Sequence, residues 1–390
     1  MGRKKTGQRW AAILAGGAGT RFWPASRKAF PKPFLDLLGS GPLVRLTGER
    51  VLPLLEPGHL VYVLGSNLDK PLRSVLPREW KSQVVLEPVA RNTLGAVLLA
   101  VARVLASDPD GLLALFPADH QVRDVARFRR LLDAAYALAD RHVVTLGIVP
   151  EWAETGFGYI RKGKLLVDDV PVPGTDLGAA TGAGGAAKGK NSPGHLPVPA
   201  FAVSRFVEKP DRSKAKRYVA DGNYFWNSGI FVLHAARFLE KVRAVEPAFA
   251  RVADEAQRLF AAGKAEADAL RRLLEPLPNL NIDKAVMERI AGLAVIPAQV
   301  GWSDVGTWDA VFAERPDGAA SQVVGDVLEL EGAGNVLVST PGGPLVATLG
   351  VEDLVVVATP DAVLVTRRGH GQHVGKLAGL LAKGGRENLT

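Results

Sequence analysis

Ala11-Ala12-Ile13-Leu14-Ala15-Gly16-Gly17-Ala18-Gly19-Thr20-Arg21 is an apolar run that stops abruptly in glycine. Five aliphatic residues in a row fit a strand buried on both faces, and the glycines turn the chain at its end. A strand that delivers a glycine-rich loop brings backbone N–H groups within reach of phosphate oxygens. Arg21 adds a planar fork suited to bidentate phosphate contact. Arg27, Lys28 and Lys32 follow closely. Two familiar loops are excluded. The pattern G-x-x-x-x-G-K-[ST] is missing here, and G-x-G-x-x-G fails because Phe22 stands where its third glycine belongs. Further on, Gly184 to Lys190 satisfies G-x-x-x-x-G-K, but Asn191 follows and no strand precedes it. On spacing alone the first loop reads equally as an anion cradle or a structural turn.

Outward from that loop the chain alternates. Strand signals at Leu60–Leu64, Gln83–Leu86, Leu112–Phe116 and Val143–Ile148 enclose helical patterns at Thr93–Ala106 and Phe128–Ala139. Such alternation predicts an α/β domain with a mostly parallel sheet, whose ligands lie beyond the carboxyl ends of the strands. Both the glycine loop and Pro117-Ala118-Asp119-His120 fall at such ends. From Pro171 to Pro199 the composition turns to Gly, Ala, Pro and Lys, and this 171–199 stretch reads as an exposed surface loop. Strands return at Phe201–Val207, Phe231–Leu233 and Ala294–Pro297. Between the last two, Ala235–Leu274 is helical with a break at Gly263. After about Ala320 come short apolar runs separated by Gly, Pro or Asp, then a terminal helix over Lys376–Arg386. The expected organisation is a tail over 1–10, a large domain over 11–318 and a small β-rich domain over 319–390. Stacked short strands or a short left-handed β-helix would suit the last of these.

Composition narrows the chemistry. The 390 residues contain no cysteine, which excludes thiolate catalysis, disulfides and Cys-based zinc sites. The net charge of +8 is spread along the chain, its one tight cluster being Arg3-Lys4-Lys5. It is read as solvated surface with a few cations recruited to an anionic ligand. No basic–aromatic module points to nucleic acid, and no apolar stretch approaches the length of a membrane span. Gly2 and Thr6 fit the loose myristoylation pattern, but the start is read as a solvated tail and the location as cytoplasmic.

The loop and its continuation, Leu14 to Arg27 and Pro31-Lys32-Pro33-Phe34, resemble the signature of the sugar-1-phosphate nucleotidyltransferases. Trp23-Pro24-x-Ser26-Arg27 resembles their mannose-1-phosphate guanylyltransferase branch. So, in the order of that branch, do Glu87 to Thr93, Pro117 to His120, Thr155 to Ile160, Phe206 to Pro210, Trp226 to Gly229 and Gly301 to Trp308. Together these span most of Ala11 to Trp308. The resemblance implies a Rossmann-like nucleotidyltransferase domain. The implied reaction carries GMP from GTP to mannose 1-phosphate, giving GDP-mannose and pyrophosphate. Pro33 departs from the glutamine frequent at that place in the branch. Long members carry an isomerase domain. No His-rich metal pattern follows Trp308, so the single transferase activity is expected.

Roles follow from chemistry and resemblance together. Ala15, Gly16, Gly17, Gly19 and Thr20 would cradle the nucleotide, while Arg21 and Lys32 would hold the triphosphate. By themselves, Asp119 and Asp304 read as turn or cap residues. The resemblance makes them ligands of Mg²⁺, an ion that takes one or two carboxylates plus phosphates, and Asp119 is counted with the catalytic residues. Glu87 offers guanine a carboxylate for its N–H donors, with Asn92 and Thr93 beside it. Gly158, Glu208, Lys209 and Asn227 are assigned to the sugar and its phosphate. The attacking phosphate oxygen is already ionised at neutral pH, so no general base is required and His120 is given a structural role. A homodimer is expected by resemblance only. Two rivals stand: a transferase of the same fold with another sugar or base, and a non-catalytic paralogue that only binds sugar nucleotide.

Overall fold

The structure, a computed structural model, describes residues 7–17, 19–78, 80, 83–171 and 197–390. The Arg3-Lys4-Lys5 cluster, Gly2, Thr6, Ala18 and most of the 171–199 loop lie outside the described residues. The first half lays down β1 (Arg9–Ala15), α1 (Leu43–Val51), β2 (Leu60–Gly65), α2 (Asp69–Val75), β3 (Val84–Glu87), α3 (Asn92–Leu105), β4 (Leu112–Pro117), β5 (Gln121–Val122), α4 (Val125–Leu138) and β6 (Val143–Ile148). Next come β7 (Tyr159–Val167), β8 (Ala200–Val207), α5 (Arg212–Asp221), β9 (Tyr224–His234), α6 (Ala235–Val245), α7 (Pro247–Ala261), α8 (Ala267–Leu274), β10 (Leu293–Ala298), β11 (Trp302–Ser303) and α9 (Trp308–Ala313).

A nine-stranded sheet runs β3-β2-β1-β4-β9-β6-β10-β8-β7. β1 is parallel to both β2 and β4, whereas β9 is antiparallel to β4 and β6. The glycine loop therefore emerges from a central strand at the carboxyl edge of the parallel half. β1 shows why its sequence is continuously apolar. Ala11, Ile13 and Ala15 pack into one core with α1, α2, α4 and α5, while Trp10 and Ala12 pack into the other with α3 and α6 to α8. A strand covered on both faces has no polar side to show.

Some elements were not legible. β7 pairs with β8 and, over Tyr159–Arg161, with β9, but beyond Ile160 it carries Arg161-Lys162-Gly163-Lys164 and is partly exposed, so it lacks a continuous apolar signature. The helical stretch breaks at Pro247 as well as near Gly263, because proline opens α7 at its first turn. α1, α2 and α5 were also unanticipated, being short.

The C-terminal part stacks β12 (Gln322–Val324), β13 (Val327–Leu330), β14 (Val336–Ser339), β15 (Val346–Leu349), β16 (Leu354–Ala358) and β17 (Val363–Arg367), and ends in α10 (Gly375–Lys383). β12-β14-β16 form one parallel ladder and β13-β15 another. Val327 pairs with Val346 and Val336 with Val355 at one common offset, the stacking of a β-helix. At its centre the fully buried Asn335 donates from Nδ2 to Glu329 Oε1 at 2.6 Å and to the Val351 carbonyl at 2.9 Å. Its Oδ1 accepts from Leu354 N–H at 2.8 Å, so the turn is satisfied on both sides. The β-helix is not a separate appendage. Phe22, Trp23, Leu37, Val305 and Trp308 share one core with Val336, Val338, Val355 and Val357.

Candidate active site

The first cluster of the site is drawn together around Lys32. Gly19 sits at φ 55°, and a Cβ there would lie 2.6 Å from the Lys32 Cβ, so the loop closes on Lys32 only as glycine. Lys32 is 6% exposed, fixed in a short turn by the buried Phe34. Its Nζ donates to Asp119 Oδ2 at 2.7 Å and to the Asp304 carbonyl at 2.6 Å. The two aspartates meet because β5 pairs antiparallel with β11, Gln121 opposite Ser303 and Val122 opposite Trp302. Beside Asp304, the buried β-branched Val305 holds φ 44°, a strain of about 1–3 kcal/mol that chains tolerate mostly at functional sites.

The carboxylates differ electrostatically. Burial pushes Asp119 up, but the charges of Lys32 and His120 with the Lys32 hydrogen bond bring it below the usual carboxylate range. Asp304 is raised by burial and by the Asp119 charge, against a partial pull from Lys32 and Arg21. Burial lowers the His120 imidazole to about 4, although Asp119 opposes this. His120 Nδ1 accepts from Trp302 Nε1 at 3.2 Å, which leaves it neutral and packed against that indole. It packs against Trp302 as a wall of the site. Arg21 is exposed, and its Nη1 donates to Gln372 Oε1 at 3.1 Å. Ala15 is buried, so only its backbone faces outward, while Gly16, Gly17 and Thr20 are exposed around the loop.

A second cluster lies where β7, β8 and β9 converge. A Cβ on Gly158 would stand 2.7 Å from Glu208 Oε2 and 3.2 Å from the Asn227 Cβ, so these three residues close on one another. Lys209 Nζ pairs with Glu208 Oε1 at 2.6 Å, and Asn281 Nδ2 donates to the same oxygen at 3.1 Å. Asn227 Nδ2 donates to Asp283 Oδ1 at 2.9 Å. Burial, reinforced by the Glu208 charge, raises Asp283 to about 7, with the Asn227 hydrogen bond opposing. Asp283 opens a π-helical turn, Asp283–Met287, a local irregularity that recurs at functional sites.

The third group sits at the start of α3. Glu87, the last residue of β3, is 8% exposed, and its Oε1 accepts from Arg91 N–H at 3.4 Å. Burial raises it to about 7, Arg91 opposing. Asn92 holds φ 56° and is exposed, its Oδ1 accepting from Thr93 N–H at 2.9 Å. Thr93 Oγ1 accepts from Ile282 N–H at 2.8 Å, which ties this group to the Asn281–Asp283 turn.

Every site residue read from the sequence thus falls on the glycine loop or in one of three adjoining clusters. Lys32, Asp119, Asp304 and Arg21 form the first, Gly158, Glu208, Lys209 and Asn227 the second, Glu87, Asn92 and Thr93 the third. Sequence reading missed Asn281 and Asp283. Their signal was an Asn and an Asp flanking Ile282, after the helical stretch and before β10. Trp226 and Trp308 are buried core residues.

A fold of this kind, with paired carboxylates and lysine beside a glycine loop, defines a nucleotide-transfer site. Residues 10–320 match the family described as nucleotidyl transferase, and residues 325–381 match the mannose-phosphate isomerase/GMP-like β-helix domain. The chain belongs to the nucleotidyl transferase family. It is 35% identical over 384 residues to the xanthan biosynthesis protein XanB of Xanthomonas campestris, covering 97% of this chain and 74% of that protein. It is 33% identical over 392 residues to the mannose-1-phosphate guanylyltransferase of Escherichia coli K12, with coverage of 97% and 74%. A crystal structure of a Thermus thermophilus protein, named as a mannose-1-phosphate geranyltransferase, superposes with a TM-score of 0.77 at 32% identity. That superposition spans 96% of this chain and 99% of the Thermus chain.

Proposed function

We propose that this chain transfers GMP from GTP to α-D-mannose 1-phosphate, giving GDP-mannose and pyrophosphate. The observation that carries the reading is Lys32 joined to both Asp119 and the Asp304 segment, with the Glu208–Asn227–Asp283 cluster alongside. The first set has the charges of a phosphoryl-transfer centre, and the second has the donors and acceptors of a polyol site. Relatives named mannose-1-phosphate guanylyltransferase support the choice of sugar and base.

In this reading an ionised phosphate oxygen of mannose 1-phosphate attacks the α-phosphorus of GTP. The new P–O bond forms as the bond to the bridging oxygen of the β-phosphate breaks, and that electron pair leaves with pyrophosphate. No proton has to move, which agrees with a His120 held neutral by burial. Arg21 and Lys32 stabilise charge on the phosphates, and preorganised charge of this kind usually contributes most to such catalysis. Lys209 and Glu208 hold the sugar phosphate and hydroxyls.

Mg²⁺ fits the residues present. Asp119 and Asp304 are close enough that the charge of one raises the other, a repulsion that a divalent cation relieves. Among the described residues no group of three or more His, Cys, Asp or Glu could hold a metal, so phosphate oxygens would complete the shell. Bound there, the ion would supply charge neutralisation at the α-phosphate. We also propose a cytoplasmic homodimer. Exposed apolar side chains on the β-helix, Leu328, Leu330, Leu349, Val363 and Val365, support self-association. No helix among the described residues is long and apolar enough to cross a membrane.

Purified protein offered GTP, ATP, dTTP and UTP against several sugar 1-phosphates tests the function. Turnover is expected with GTP and mannose 1-phosphate in Mg²⁺, and its absence overturns the reading. Binding of sugar nucleotide without turnover would favour the non-catalytic paralogue.

A further inference from the structure

Arg21 is an exposed cation beside the glycine loop, and a free arginine samples many rotamers. The glutamine to which it donates lies 351 residues away, in the β-helix part. Gln372 sits in the short turn Gly371–His373 that links β17 to α10. That turn is itself fixed to the Asp304 side of the site. Asp309, in the first turn of α9, accepts from Gly369 N–H at 2.5 Å and from Gly371 N–H at 3.3 Å. A Cβ on Gly371 would lie 2.6 Å from Asp309 Oδ2, and one on Gly375 would lie 3.1 Å from Thr20 Oγ1. The turn is therefore wedged between the segment that carries Asp304 and the segment that carries Arg21.

The partner's chemistry matters as much as its place. A carboxylate would neutralise the guanidinium and compete with phosphate. An amide oxygen accepts one of its five N–H donors and leaves the positive charge and the other four for a ligand. We propose that Gln372 is a positioning residue: it presents Arg21, charged and pre-oriented, to the nucleotide's phosphates, so the β-helix part completes the active site. This rests on the phosphate role of Arg21 in the proposed function.

Three enzymes separate positioning from simple support: the parent, Gln372→Ala and Gln372→Glu. Glutamate is nearly isosteric, so a structural role predicts that Gln372→Glu behaves as the parent. Positioning by a neutral acceptor predicts a fall of roughly tenfold in kcat/KM for GTP in Gln372→Ala, the scale of one hydrogen bond to a charged group. It predicts at least as large a fall in Gln372→Glu, seen mainly as a raised KM for GTP, with the thermal midpoint of Gln372→Glu unchanged. In an Arg21→Ala background, Gln372→Ala should add nothing further. Affinity for inorganic pyrophosphate, measured by calorimetry on the same proteins, should weaken in both variants and needs no sugar. Failure of the parent to make GDP-mannose would sink the functional reading, and the pyrophosphate affinities would still judge Gln372. Either variant matching the parent in GTP kinetics and pyrophosphate affinity overturns the proposal, as does an equal effect with and without Arg21.

Discussion

The two ends of the site hold half-buried carboxyl groups in opposite ways. At the Lys32 end Asp119 is kept ionised, because Lys32 contacts it directly at 2.7 Å and its charge and hydrogen bond outweigh the cost of burial. At the other end Asp283 has an amide partner, Asn227, and a repelling neighbour, Glu208, so burial dominates and lifts it to about 7. In the proposed function the difference follows from what each end recognises. A triphosphate is met by fixed charge, which is strong in a water-poor cleft and needs no reorganisation. A sugar is uncharged at its hydroxyls and is met by groups that both donate and accept, which a carboxyl near its pKa can do.

The largest effect should come from breaking the charged end. Lys32→Met removes the partner of Asp119 and the anchor of Asp304, and kcat should fall by about 10²–10³-fold, as when a charge-stabilising donor is lost. Pyrophosphate release measured at saturating GTP checks it, and a variant within tenfold of the parent would refute the central role of Lys32. Asp119→Asn should come next, with roughly a hundredfold loss. Its Mg²⁺ requirement should move to higher concentration, and titrating the ion at fixed GTP reads that shift. If the variant instead kept full turnover at the parent's Mg²⁺ dependence, Asp119 would not be a metal ligand.

This contrast also explains what the sequence revealed. The charged end is written in contiguous motifs on strand ends, where an apolar run followed by Gly, Lys or Asp is visible in one dimension. A strand-to-loop transition locates the glycine loop and Asp119 but reads as readily as a turn, and only the family resemblance gives them their roles. The sugar end depends on a π-helical turn and on a long β9 whose first half, Tyr224 to Asn227, carries the site. Neither has a distinctive periodicity, so Asn281 and Asp283 stayed hidden between α8 and β10. The Arg21–Gln372 contact was hidden for a different reason. Nothing local marks a glutamine in a terminal turn as the neighbour of a loop at the other end of the chain. The β-rich tail was visible as short apolar runs, but its packing against Phe22, Trp23 and Trp308 was not, because those residues already read as part of the large domain.

At the Asp283 end the effects should be smaller and pH-dependent. Asp283 has its folded pKa raised to about 7, above the ordinary carboxylate value. Below that ordinary value both folded and unfolded chains are protonated and nothing is lost. As pH rises from about 4 towards 7 the unfolded chain releases its proton first, so this group progressively destabilises the fold. Asp283→Asn keeps an acceptor for Asn227 and cannot ionise. Its thermal midpoint should equal the parent's near pH 4 and exceed it by about 2 °C at pH 8. KM for mannose 1-phosphate should change by roughly three- to tenfold with kcat little altered, since the group binds substrate and transition state alike. A midpoint difference that does not grow with pH would show that Asp283 is ionised throughout.

Glu87 should give a change no larger than this and is the sharpest probe of the third cluster. It too is raised to about 7 by burial, yet it sits under the first turn of α3, accepting from Arg91 N–H, where negative charge is favoured by the helix. Two opposed influences leave it near balance at neutral pH. Glu87→Gln retains the shape and one acceptor oxygen, so the fold should hold and gain slightly above pH 7 by the same linkage. If the carboxylate also meets the guanine donors, the preference for GTP over ATP should drop by about three- to tenfold, the range of a single polar contact. Competition between the two nucleotides at fixed mannose 1-phosphate reads this directly. A variant with unchanged preference would leave Glu87 as a support for the α3 terminus and assign base recognition to other groups around Asn92.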